Sequence, residues 1–262
     1  MANNSRRPGA SRIAVAISMA IALLLTTAAG CTTPKKNRDA ATARLRLGTT
    51  FLQQGNYHSA LRELLEADNL DPDDAFTQNN LGLTYFMLEK FDLSAERLER
   101  AVKLRPLYSE ARNNYGRVLI EVGKYDEAVK QFQHVLADLT YPDPAKVWAN
   151  MGLAHFRAGA FAEAKRDLSE SIRVNRNYCI AHTLYGRTLL ELGELQPAAT
   201  ALDNAVVICK SSKFDEPYYY SGLTYYKLGR TSTAVARMEE VIKLYPEGRY
   251  AKKAESLLQL MK

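Results

Sequence analysis

The residues of this 262-residue chain best able to do chemistry are four histidines, three cysteines and a Gly-Lys pair at the end of a glycine-bounded stretch. His58, His134, His155 and His182 stand singly. None has a second histidine four residues away, and none belongs to a glutamate-flanked pair of the kind that holds zinc on one helix face. They read as packing or surface residues. Gly116 to Lys124 ends as a phosphate-binding loop does, but six residues separate its glycines. Tyr125 also stands where a serine or threonine must hold magnesium, and the stretch runs through a helical pattern. No serine or cysteine sits in the local setting of an activated nucleophile. The expectation is a protein that is not an enzyme, with no metal, no cofactor and no small-molecule substrate.

Cys31 has a different setting. Residues 1–12 hold Arg6, Arg7 and Arg12 and no acid, and Ile13 to Ala29 is an uncharged run interrupted by Ser18, Thr26 and Thr27. Ala28-Ala29-Gly30 then leads directly into Cys31 and a polar stretch. A basic start, an apolar core and small residues before a processing point describe a secretory signal peptide over 1–30. A cysteine directly after three small residues resembles a bacterial lipobox, in which the thiol receives diacylglycerol and the new N-terminus a fatty acyl chain. Ala28 occupies the place where leucine is commonest. The other reading is an uncleaved membrane anchor, for which the apolar run is short. Arg6-Arg7 lacks the Phe-Leu that follows in a twin-arginine signal, which favours general secretion. Thr32, where many retained lipoproteins carry aspartate, favours the outer membrane, facing the periplasm. Residues 31–40 form the expected tether; its nine residues after the cysteine reach roughly 30 Å when extended.

Charge carries no further partner. The formal charge is +6, but the three early arginines leave with the signal peptide, after which 32 basic residues face 29 acidic ones. The two signs are interleaved, so a clustered footprint for phosphate is missing and nucleic acid is not expected as a partner. Apolar residues make 47% of the chain and Gly and Pro number only 14 and 9, which excludes collagen-like, disordered and disulfide-framework classes.

What remains after residue 40 is periodic. Gly48, Gly82, Gly116, Gly152, Gly186 and Gly222 recur at spacings of 34 or 36 residues. Seven residues after each stand Gly55, Glu89, Gly123, Gly159, Gly193 and Gly229. Twelve after each stand Ala60, Ser94, Ala128, Ala164, Ala198 and Ala234, and Pro72, Pro106 and Pro246 close three of the units. A glycine or alanine where helices cross lets two backbones approach, and a later glycine can take positive φ at a helix end. This pattern resembles the tetratricopeptide repeat (TPR), two antiparallel helices per unit. The resemblance implies an all-α, right-handed superhelical solenoid of six helix pairs near 41–74, 75–108, 109–144, 145–178, 179–214 and 215–248. A capping helix over 249–262 completes the domain 41–262, with Ala251, Ala254, Leu257, Leu258 and Met261 on its apolar stripe. The longer spacings fall at Thr140-Tyr141-Pro142-Asp143-Pro144 and at Lys210 to Phe214, expected as exposed loops.

Two consequences follow from that register. Cys179 begins the first helix of unit five and Cys209 ends its second, so an antiparallel hairpin brings them together. A disulfide in an oxidising compartment is one reading, and two buried free thiols are the other. Second, the first helices of such arrays line a concave surface. There the partner-binding groove is expected from Leu45, Leu52, Phe76, Asn79, Leu83, Phe86 and Met87 in units one and two, with Asn113 and Arg117 in unit three. An apolar concave wall suits an extended strand or an amphipathic helix, though each side chain also suits inter-repeat packing.

Units two to four carry more particular wording: Asn79-Asn80-Leu81-Gly82, Asn113-Asn114-Tyr115-Gly116, then Tyr141-Pro142-Asp143-Pro144 and Asn150-Met151-Gly152. Together with Cys31 and six repeats they resemble the PilF/PilW/Tgl family, the pilotins of type IV pili. That resemblance implies a lipid-anchored assembly factor whose partner is the pilus secretin subunit, which it targets to the membrane or helps to multimerise. The alternative is a periplasmic adaptor lipoprotein that docks peptidoglycan or envelope-assembly enzymes.

Overall fold

The computed structural model describes Met1 and residues 35–212 and 214–261. The signal peptide, Cys31 and Thr32 to Pro34 lie outside the described residues. Among those described there are thirteen helices and no strand. They pair in sequence: α1 (Lys35–Gln53) with α2 (Tyr57–Leu70), α3 (Ala75–Met87) with α4 (Phe91–Leu104), and α5 (Ser109–Glu121) with α6 (Tyr125–Leu136). Next come α7 (Pro144–Arg157) with α8 (Phe161–Val174), α9 (Cys179–Glu191) with α10 (Leu195–Cys209), α11 (Glu216–Lys227) with α12 (Thr231–Leu244), and the final α13 (Ala251–Met261).

Local chemistry sets the helix ends. The Asp74 carboxylate accepts from the backbone N–H of Thr77 at 2.9 Å, filling an orphan donor of the first turn of α3. Asp143 does the same for Lys146 at α7, where Pro144 in the first turn has no N–H to lose. Between the helices of a pair the chain reverses through a left-handed residue. Five of those positions are glycine, Gly123 for example at φ +78°, and the remaining one is Glu89 at φ +57°.

The crossing glycines explain how each pair closes. A Cβ on Gly116 would stand 2.6 Å from Cε1 of Phe132, well inside contact distance. Sixteen residues after each crossing glycine stands a large apolar side chain with no exposed surface: Leu64, Leu98, Phe132, Leu168, Leu202 and Met238. Each contributes roughly 1.5–3 kcal/mol through burial, and each needs the glycine hydrogen opposite it to do so. Pairs then stack, because a single hairpin leaves its other face bare. Leu119, Val135, Val147 and Met151, for example, join units three and four in one cluster with Phe132.

The first helix differs from expectation. It begins at Lys35, inside the segment expected as an extended tether, so residues 35–40 rise along a helix axis. Three residues, Thr32 to Pro34, then stand between Cys31 and the helix, a reach of roughly 10 Å where about 30 Å was expected. At the other end α13 lays Ala251 and Ala254 onto the last pair and leaves Lys252, Lys253, Glu255 and Gln259 exposed.

Candidate functional site

The first helices of neighbouring pairs (α1, α3, α5, α7, α9 and α11) touch one another, whereas the second helices of neighbouring pairs make no comparable contact. A stack that is tighter on one side curves toward that side. The first helices therefore line the concave wall, which is where the sequence put its groove.

The nine expected groove residues do not form one surface. Asn79 and Asn113 are buried, at 1% and 2% exposure, and face the next repeat. Asn114 donates to Asn79 Oδ1 at 3.0 Å, and Asn150 donates to Asn113 Oδ1 at 3.1 Å. Asn80 extends the line downward by donating to Thr49 Oγ1 at 2.7 Å. Buried amides must find partners, and here they find each other, forming a polar ladder between first helices. Assigning Asn79 and Asn113 to the groove is therefore corrected: they hold repeats together. Leu45 and Leu52 are half-buried against the Ala60–Leu64–Leu81 cluster, contributing mainly to packing.

The accessible members cluster further along. Phe76 and Met87 are 43% and 46% exposed, and Leu83 and Phe86 are half-buried. Phe76 meets the Tyr108 ring edge-on at 5.1 Å, with the Arg105 guanidinium 5.0 Å above it. Phe86 meets Phe91 at 5.7 Å and carries Arg117 on its face at 4.9 Å. Burial disfavours the Arg117 charge and holds its pKa below the ordinary arginine value. Burial likewise raises the pKa values of Tyr141 and Tyr178, whose hydroxyls Arg117 pulls back down.

A second station, missed in the sequence, repeats this arrangement 70 residues on. Arg187 lies 4.7 Å from the Phe156 ring and 4.6 Å from Tyr220, and it is bonded to Glu216 at 2.5 Å. The signal was present: Phe86 and Phe156 are one two-repeat period apart, and so are Arg117 and Arg187. Between the stations Arg157 pairs with Glu121 at 2.8 Å. Chemically the wall offers aromatic and aliphatic area punctuated by guanidinium groups, which suits polypeptide binding.

Cys179 and Cys209 are joined in a disulfide, with Cα atoms 5.1 Å apart, closing the open end of unit five. Among the described residues no cluster of three or more His, Cys, Asp or Glu has the arrangement of a metal site, and no helix is long and apolar enough to cross a membrane. His155 instead holds Asp167 at 2.6 Å between α7 and α8, where desolvation raises the carboxyl's pKa despite the imidazole beside it.

Tetratricopeptide-repeat family models match residues 48–89, 75–140, 116–165, 149–213 and 218–248. The type IV pilus assembly protein PilF of Pseudomonas aeruginosa is 30% identical over 145 residues, 55% of this chain and 58% of PilF. Human DnaJ homolog subfamily C member 3 is 23% identical over 213 residues, 76% of this chain and 42% of that protein. The chain thus spans about half the length of these curated relatives. A solved structure of Pseudomonas aeruginosa PilF superimposes with a TM-score of 0.69 at 24% identity, covering 85% of this chain and 99% of that one. The crystal structure of PilW, a type IV pilus biogenesis factor, gives 0.74 at 20% identity, covering 81% and 97%. At those identities the structural likeness speaks for the fold. With the repeat models covering most of the chain and the helix pairs superimposing on those solenoids, this chain belongs to the tetratricopeptide-repeat proteins and is similar to PilF and PilW.

Proposed function

We propose that this protein is a type IV pilus biogenesis factor that works as a pilotin. It is lipidated at Cys31, held on the periplasmic face of the outer membrane, and binds the pilus secretin subunit to promote its targeting or multimerisation. The observation that carries this reading is the 30% identity to the pilus assembly protein PilF, extending over four of the six repeats' length. The accessible wall of Leu83, Phe86, Met87 and Arg117 supplies the binding chemistry, and the protein acts by holding a partner rather than by turnover.

The physical division of labour is simple. Acyl chains on Cys31 would partition at about 0.8 kcal/mol per CH₂, so several chains hold the protein at the bilayer permanently. The short stretch between Cys31 and Lys35 keeps the array close to that surface, raising the local concentration of any membrane-bound client. A client segment held on the curved wall is protected until neighbouring secretin subunits compete it away.

Cross-linking in detergent-solubilised envelopes followed by mass spectrometry tests the reading. Secretin peptides attached to lysines bordering the concave wall, such as Lys146, are the expected result. Peptides from peptidoglycan enzymes in their place would reassign the protein to an envelope adaptor role.

A further inference from the structure

The two arginine stations share a register and differ in their carboxylates. Arg187 receives a carboxylate from its own chain, because Glu216 stands at the second position of the following repeat. At the corresponding position after Arg117 the chain carries Lys146, a second cation. The nearest acid on its own helix, Glu121, is taken by Arg157 at 2.8 Å. Among the described residues no carboxylate oxygen lies within 4.0 Å of Arg117. Arg117 is therefore a guanidinium stacked on Phe86 at 4.9 Å, partly stripped of water, with Tyr178, Glu121 and Tyr141 near it but no carboxylate in ion-pair contact.

A buried or half-buried guanidinium without a carboxylate is costly, and its five donors in a planar fork match carboxylate geometry. We propose that Arg117, aided by Lys146, receives the side-chain carboxylate of an aspartate or glutamate in the client segment crossing the concave wall. This deepens the client-binding reading above and rests on it. The occupant is an acidic side chain within the segment, not a chain terminus: Arg117 sits in the third of six repeats, midway along the wall. The ring of Phe86 beneath the guanidinium adds a platform for an apolar neighbour of that acid.

A random peptide library displayed with amidated C-termini, selected against the purified protein, tests this without assuming the client. Selected peptides should carry an internal Asp or Glu, and replacing it by Asn or Gln should weaken binding about tenfold to a hundredfold, the size of a charge-assisted contact. Arg117→Gln should remove that discrimination while leaving the thermal melt of the protein intact. Lys146→Glu, a change at a half-buried position that supplies Arg117 with the internal partner Arg187 already has, should weaken the same peptides as an independent check. Selected peptides without an acid, or acid-to-amide ratios unchanged in both variants, would overturn the proposal. Peptides cut from the secretin's periplasmic region form a separate arm: if they fail to bind while acidic library peptides succeed, the secretin reading falls and the carboxylate site stands.

Discussion

At the scale of single residues, one position in the array is strained and five of its counterparts are not. Glu89 adopts φ +57° where the other turns use glycine. A side chain in the left-handed region costs roughly 1–2 kcal/mol, and glycine's greater unfolded-state entropy offsets about half of that. Glu89→Gly should therefore raise stability by about 0.5–1 kcal/mol, read as a higher urea midpoint with unchanged slope. The glycines were legible in the sequence because a helix crossing and a left-handed turn each admit almost nothing else. The fates of Asn79 and Asn113 were not. Both lie on the first-helix face that looks toward the groove and toward the next repeat, and a small rotation decides which. That rotation is set by the partners Asn114 and Asn150, 35 and 37 residues away. Asn79→Ala should consequently cost about 1–3 kcal/mol, since it leaves the Asn114 amide without its acceptor, while client binding measured on the folded fraction stays unchanged. A groove role would show the reverse pattern.

At the scale of helices, the phase of the repeat was readable from glycine spacing, whereas the start of α1 was not. Pro34 is the last breaker before Lys35, and nothing between Lys35 and Ala40 stops a helix from running backward to it. Unit five has its own device, the Cys179–Cys209 bond across the open ends of α9 and α10. Chain entropy in a loop of this length predicts a contribution of about 3.5–4 kcal/mol at most. Thiol labelling of the protein prepared without reductant should find both cysteines blocked, and reduction should lower the melting temperature. Two freely labelled thiols and an unmoved melt would dismiss the bond as a stabilising element.

At the scale of the whole molecule, the solenoid is a curved wall whose inner side combines exposed apolar side chains with charged pairs. Phe76 and Met87 stand exposed in unit two, and Ile180 and Tyr226 stand exposed on the first helices of units five and six. The later repeats add paired charges on that side, Arg187–Glu216 and Arg157–Glu121. The sequence showed the apolar first-helix positions of units one and two but not the arginine stacks, since Phe86 and Arg117 are 31 residues apart and meet only once two repeats are docked.

The central claim is that this wall governs secretin assembly, and the most direct measurement is the ratio of secretin multimer to monomer on a gel of whole envelopes. Phe76→Asp combined with Met87→Asp places two charges on side chains already more than two-fifths exposed, so the fold should persist while the wall is spoiled. The account predicts that this double variant, like Cys31→Ser, leaves secretin monomer present and depletes the multimer. A multimer fraction equal to that of the unaltered protein, from a variant shown to be folded and present at normal level, would contradict it.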